Sequence, residues 1–151
     1  MPTFRELWDA HPGRGFVCDA SVFENQCAMR MGDALRSCGV NLSGRNLRTC
    51  VTYNRHRLSS HAPGHVLAAQ ELADVLDDEP SLLGASVTVT KMRGTIGANP
   101  TAFQGANGVV FIQNGWGPTD HIDVWDGVRM EMKGGAASYQ GRGRHVWLWA
   151  M

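Results

Sequence analysis

Two short runs, far apart in the chain, carry residue types that together can attack an acyl carbon. Asn25-Gln26-Cys27-Ala28-Met29-Arg30 opens an amphipathic stretch, and Asp120-His121-Ile122-Asp123-Val124-Trp125 alternates polar and apolar side chains as a strand does. A cysteine thiolate adds to a carbonyl carbon, and an adjacent imidazole handles the proton while a third polar group holds the ring. The positive end of a helix dipole and a neighbouring imidazolium both favour the thiolate form of a cysteine, and Cys27 is placed for the first of these. Of the six histidines only His121 lies in a pattern that fixes its direction. Alternation sends His121, Asp123 and Trp125 to one face and Ile122 and Val124 to the other. A helix bearing Cys27 and packed on the first face would bring sulfur and ring together.

Taken singly, these residues weigh less: a cysteine in an amphipathic helix is more often a packed thiol, and a strand histidine is more often structural. Asp123 shares the face of His121 and is the nearest carboxylate for orienting the imidazole; its competing role is a solvated or turn-capping group. Counted across a two-residue Asp126-Gly127 turn, Met132 falls opposite His121 and Glu131 points away. The third role therefore stays open between Asp123, Glu131 and none. The oxyanion formed on attack would meet the Cys27 backbone N–H and the side chain of Gln26 or Asn25.

The elements that must position these groups are legible in part. Ala28, Met31, Leu35 and Cys38 follow Cys27 at helical spacing, with Asn25 as N-cap and Gly39 as a left-handed end. A second helix is expected over 63–76, with Pro63 in its first turn. The polar segment between them, 41–61, reads as a connection, locally basic through Arg48, Arg55, His56 and Arg57. Strands follow over 86–91, 108–113, 121–125, 128–132 and 144–149, with Asp126-Gly127 predicting an antiparallel hairpin. Helices first and a meander sheet second make an α+β arrangement, as one domain over 1–151. Trp116, in the glycine-rich run Asn114-Gly115-Trp116-Gly117-Pro118, is expected to pack or to wall the cleft.

Composition narrows the partners. Fourteen basic and fourteen acidic residues leave no net charge, so neither nucleic acid nor an anionic membrane is drawn by bulk field. No segment reads as a signal-peptide core or a membrane span, so a soluble, cytosolically made product is expected. The four cysteines, Cys18, Cys27, Cys38 and Cys50, are not spaced as a zinc finger or ribbon, and no metal or other cofactor is expected. Cys18, Cys38 and Cys50 read as buried reduced thiols, one pair of which could form a disulfide in an oxidising compartment.

The wording of the motifs adds a resemblance. Phe23 to Leu35 followed by Gly39-Val40, Gly64-His65-Val66 with Ala69 to Asp74, Gly108 to Phe111, His121 to Gly127, and His145 to Trp149 resemble in turn the nucleophile helix, middle helix, central strand, histidine strand and closing strand of the type VI secretion amidase effectors, fourth family. The resemblance implies a papain-like cysteine amidase fold, with Cys27 as nucleophile and His121 as base. It implies cleavage of peptidoglycan stem peptides between D-glutamate and meso-diaminopimelate. It further implies export through the type VI secretion apparatus into the periplasm of rival bacteria, and a cognate immunity protein that blocks the cleft. Two departures stand out: the family's aspartate on the next strand falls where Met132 is expected, and its C-terminal cysteine pair is absent. A non-catalytic binding module and a thiol acyltransferase are the alternatives.

Overall fold

Thr3 starts the first helix by a reciprocal cap: its hydroxyl accepts from the Glu6 N–H at 3.2 Å and the Glu6 carboxylate accepts from the Thr3 N–H at 2.8 Å. The computed structural model describes residues 1–53 and 61–151. Its helices are α1 (Phe4–Ala10), α2 (Cys27–Ser37), α3 (Cys50–Tyr53), α4 (Ala69–Asp78) and α5 (Pro100–Phe103). The strands are β1 (Val89–Arg93), β2 (Asn107–Trp116), β3 (Thr119–Asp126), β4 (Glu131–Met132) and β5 (His145–Ala150), paired antiparallel in the order β1-β5-β2-β3-β4. Among the described residues no helix is long and apolar enough to cross a membrane. The expected α+β class is what forms. The expected residues Arg55, His56 and Arg57 lie outside the described segments.

Both faces of the sheet are covered, which is why β2 reads as a continuous apolar run rather than an alternating one. On one face Val109, Phe111, Ile122, Val124 and Trp149 pack with Met31, Ala34 and Leu35 of α2, Leu72 and Leu76 of α4, and Leu7 of α1. On the other, Val110, Ile112, Trp125, Val146 and Leu148 pack with Phe103 and Ile96. The Trp149 indole N–H donates to the Leu76 carbonyl at 3.0 Å, tying α4 to β5 across the first core. Gly108 sits between two strands, opposite Trp125 and Ala150. A Cβ there would lie 1.8 Å from the Trp149 carbonyl oxygen, so the position admits only glycine. Gly108→Ala is expected to destabilise the fold by about 3 kcal/mol or more, read as a lower urea midpoint with an unchanged slope.

Four expectations about elements change. Helix α2 does end at Gly39, whose φ is +82°, but its N-cap is Gln26 rather than Asn25. The segment 63–68 is not helical: Thr49 and Val66 form a bridge, and the Cys50 and Leu67 N–H groups donate to the carbonyls of His65 and Arg48. Pairing with 48–50 holds this segment extended, so α4 starts only at Ala69. The hairpin loop is longer than two residues, because Asp126 Oδ1 accepts from the N–H groups of Val128 and Arg129 at 2.9 and 3.0 Å. Val128 is 77% exposed and Met130 has φ +56°, so pairing resumes only with Asp126 opposite Glu131 and Trp125 opposite Met132. Met132 is therefore not the neighbour of His121. Lastly, α2 packs on the Ile122–Val124 face, opposite to the one that carries His121 and Asp123, because that face of β3 is the apolar one.

Candidate active site

Cys27 opens α2 and is 4% exposed, with its thiol directed at the Asp120 carbonyl at 3.8 Å. The helix thus ends against the start of β3, where strand pairing with β4 has not begun. His121 follows immediately, close enough for its ring to feel the hydrogen bonding and charge of Cys27, although its face differs from the one under α2. The other side of the ring is fixed: His121 Nε2 lies 2.7 Å from Asp123 Oδ2. With Nε2 taken, Nδ1 is the nitrogen left for the sulfur.

Asp123 is fully buried, and its carboxylate is held from several directions. The Gly134 N–H donates to both oxygens at 3.0 Å, and the Val124 N–H donates to Oδ1 at 2.8 Å. A buried carboxylate needs donors of this kind to replace the water it has lost. Gly134 can approach because it lacks a side chain; a Cβ would sit 3.0 Å from the His11 ring. His121 is pushed up to about 9. Burial pulls it down, but the hydrogen bonds to Asp123 and Cys27 and the attraction of both outweigh that. The ring is therefore an imidazolium at neutral pH.

His11, absent from every sequence expectation, completes the back of this cluster. It is buried, and its Nδ1 accepts the Gly13 N–H at 3.1 Å, which puts its own proton on Nε2, 3.5 Å from Asp123 Oδ1. That separation exceeds a full hydrogen bond, so the contact is a weak electrostatic one. Burial pulls His11 down to about 4, and it is neutral at neutral pH. An unfolded chain takes up this proton below about 6.5 while the folded chain refuses it until about 4. Stability is thus expected to fall by up to about 3 kcal/mol as pH drops through that window. Denaturant titrations across the window check this: in His11→Gln the component should vanish, and an unchanged slope would contradict it.

The remaining expected residues divide. Gln26 is fully buried and donates both amide hydrogens, to the carbonyls of Cys18 and Phe23, while its oxygen accepts from Val17 and Cys18. It has no donor left for an oxyanion and instead pins the 17–23 loop beside Cys27. Asn25 is exposed, and its Oδ1 accepts the Cys27 N–H at a long 3.3 Å. Trp116 ends β2 rather than occupying a loop; half-buried, it stacks edgewise on Tyr139 at 4.6 Å and lies 6.1 Å from the His121 ring. Tyr139, also unforeseen, covers His121 at 5.0 Å. Glu131 is exposed at the hairpin, away from the ring. Arg30 is spent on the carbonyls of Gly15 and Arg14, and Asp33 faces His65, so neither lines the cleft.

Two cavities meet at the pair. One, of about 300 Å³, is lined by Cys27, Asn25, Arg48, Leu67, Gln70 and Asp120; the other, of about 210 Å³, by His121, Trp116, Thr119, Tyr139, Asn25 and Asp120. Asn25 and Asp120 belong to both, so a continuous groove straddles sulfur and imidazole. A larger cavity of about 550 Å³ runs along α4 among acidic side chains, and neither a cysteine nor a histidine lines it.

Solved structures with the same fold cover the whole chain. The type VI effector Tae4 of Enterobacter cloacae superposes with a TM-score of 0.68 at 19% identity, covering 100% of this chain and 97% of that one. Tae4 in its Tae4–Tai4 effector–immunity complex from Salmonella Typhimurium gives 0.70 at 16% identity, covering 100% and 99%. No curated protein is significantly similar in sequence. The family of type VI secretion system amidase effector protein 4 matches over residues 23–149, which contain Cys27, His121 and Asp123, and the chain therefore belongs to that family.

Proposed function

We propose that this amidase works through Cys27 as nucleophile, His121 as acid and base, and Asp123 as the group that orients the imidazole. The observation that carries this reading is the ring of His121, bonded to buried Asp123 through Nε2 and neighboured by Cys27, in a groove that both residues line. The thiolate adds to the amide carbonyl, and the imidazolium gives its proton to the departing amine, leaving a thioester. Water then loses a proton to the imidazole and attacks, releasing the acid and restoring the thiolate and imidazolium. The oxyanion is met by the Cys27 N–H, whose long bond to Asn25 is readily exchanged, and by the exposed Asn25 amide.

The substrate is the peptidoglycan stem peptide, cut between D-glutamate and meso-diaminopimelate. Diaminopimelate carries charges of both signs, and the groove presents both in Arg48 and Asp120. The enzyme is delivered by the type VI apparatus into the periplasm of target bacteria. A cognate immunity protein that occludes the groove protects kin, as Tai4 binds Tae4 in the related structures. The reason for considering a non-catalytic module, Met132 opposite His121, falls away with Met132 opposite Trp125. Mass spectrometry of digested muropeptides tests the function: tetrapeptide stems should be cut at the D-glutamyl bond, and stems left intact by natively folded protein would reject it.

A further inference from the structure

Outside the groove, four side chains from three separate segments converge: Cys18 from the loop pinned by Gln26, Cys50 at the start of α3, and His61 and His65 from the stretch before α4. One ligand atom from each, two sulfurs and two imidazole nitrogens, lies within 4.8 Å of the other three. His61 Nδ1 is 3.5 Å from Cys18 Sγ and 3.8 Å from Cys50 Sγ, and His65 Nδ1 is 3.5 Å from Cys50 Sγ. Zinc held tetrahedrally at about 2.3 Å from sulfur and about 2.0 Å from nitrogen puts its ligand atoms about 3.6 Å apart. The three separations match this, and the widest allowed pair needs only about an ångström of side-chain movement to close on an ion.

We propose that Cys18, Cys50, His61 and His65 form a structural zinc site. The surroundings are those of a ligand set rather than of packed thiols. His65 turns its second nitrogen to Asp33 Oδ2 at 3.6 Å, the carboxylate–imidazole arrangement that orients metal-binding histidines. The His65 N–H donates to Cys50 Sγ at 3.2 Å, a bond that suits a sulfur carrying negative charge. The two imidazoles meet edge to face with centroids 5.2 Å apart, and the Nδ1 atoms of both lie within 3.8 Å of the Cys50 sulfur. Four protein ligands leave no position for water, so the ion holds structure and does no chemistry.

What it holds is the groove. Cys50 is two residues from Arg48 and His65 two from Leu67, both of which line the cavity beside Cys27, and Cys18 belongs to the loop that Gln26 anchors. The ion would clamp these three segments together. The clamp does not depend on the proposed substrate or mechanism.

The test uses the full chain carrying Cys27→Ala, so that no metal signal can arise from the catalytic cysteine. Purified with reductant and without chelator, it is expected to hold about one zinc per chain by elemental mass spectrometry. Chelated and refilled with cobalt, it should show the intense visible bands of a tetrahedral ion together with thiolate charge transfer. Cys50→Ser and His61→Ala should each weaken cobalt binding at least tenfold, while Cys38→Ser, outside the cluster, should not. A natively folded protein without stoichiometric zinc and without tetrahedral bands on adding cobalt would overturn the proposal, whatever the variants do. So would a Cys18–Cys50 disulfide that persists in reductant.

Discussion

Cys27→Ala is expected to abolish stem-peptide cleavage, a loss of about 10³-fold or more, with the fold intact. Removing a nucleophile that acts in concert with its base forfeits nearly all of the chemical acceleration, since the remaining binding and oxyanion contacts supply only a residue of it. The fold tolerates the change because Cys27 packs as a small apolar group at one end of the core, beside Ala28 and Ile122, so the sulfur lost leaves little void. Its thiol makes a long bond to the Asp120 carbonyl. Circular dichroism and the melting transition should therefore match the parent within a few degrees while muropeptide products disappear. Activity within tenfold of the parent would remove Cys27 from the mechanism. Cys27→Ser separates nucleophilicity from shape: a hydroxyl fits the same space, yet its proton is far harder to lose, so this variant should be nearly as inert.

The pair at the centre of the site was legible because each half lies on an element with a clear period. Helical spacing from Cys27 to Cys38 reflects burial against one core, and alternation through His121–Trp125 separates Ile122 and Val124, which join that core, from the face of His121, Asp123 and Trp125. Asp123 followed from the same alternation. The face assigned to α2 did not, because the pattern of β3 shows two faces without saying which one meets a helix; the apolar Ile122 and Val124 attracted α2. Met132 was misplaced because Asp126 caps two N–H groups of its own loop, lengthening a turn that Asp-Gly alone makes look short. His11, Gly134 and Tyr139 come from segments brought together only by tertiary structure, and no local spacing announces them. The Thr3–Glu6 capping box was a readable sign of α1, and α1 is what delivers His11 to the back of the site. The cluster of Cys18, Cys50, His61 and His65 escaped for the same reason: its ligands do not follow the spacing of a contiguous finger.

Asp123→Asn carries the other large effect and discriminates orientation from mere packing. The carboxylate accepts from His121, Gly134 and Val124, so every group around it is a donor. An amide has one acceptor oxygen and an NH₂ group; whichever way it turns, the NH₂ meets another donor. If it turns toward His121, the ring loses the partner that holds Nδ1 toward the sulfur. Activity is expected to fall about 10²-fold or more, and stability by about 1–3 kcal/mol from buried donors left unpaired. The pH profile separates these effects. His121 is raised to about 9 from an ordinary 6.5, and the hydrogen bond to Asp123 is the first of the influences that raise it against burial. Folded-state affinity for the proton exceeds that of the unfolded chain, so this stabilisation is complete below about 6.5 and disappears as pH rises through about 9. In the proposed mechanism cleavage needs the imidazolium, so its alkaline limb should fall near pH 9 in the parent and shift toward lower pH in Asp123→Asn. Loss of packing alone would lower the rate at every pH and leave the limb in place; a limb that does not move would show that Asp123 neither charges nor orients the ring.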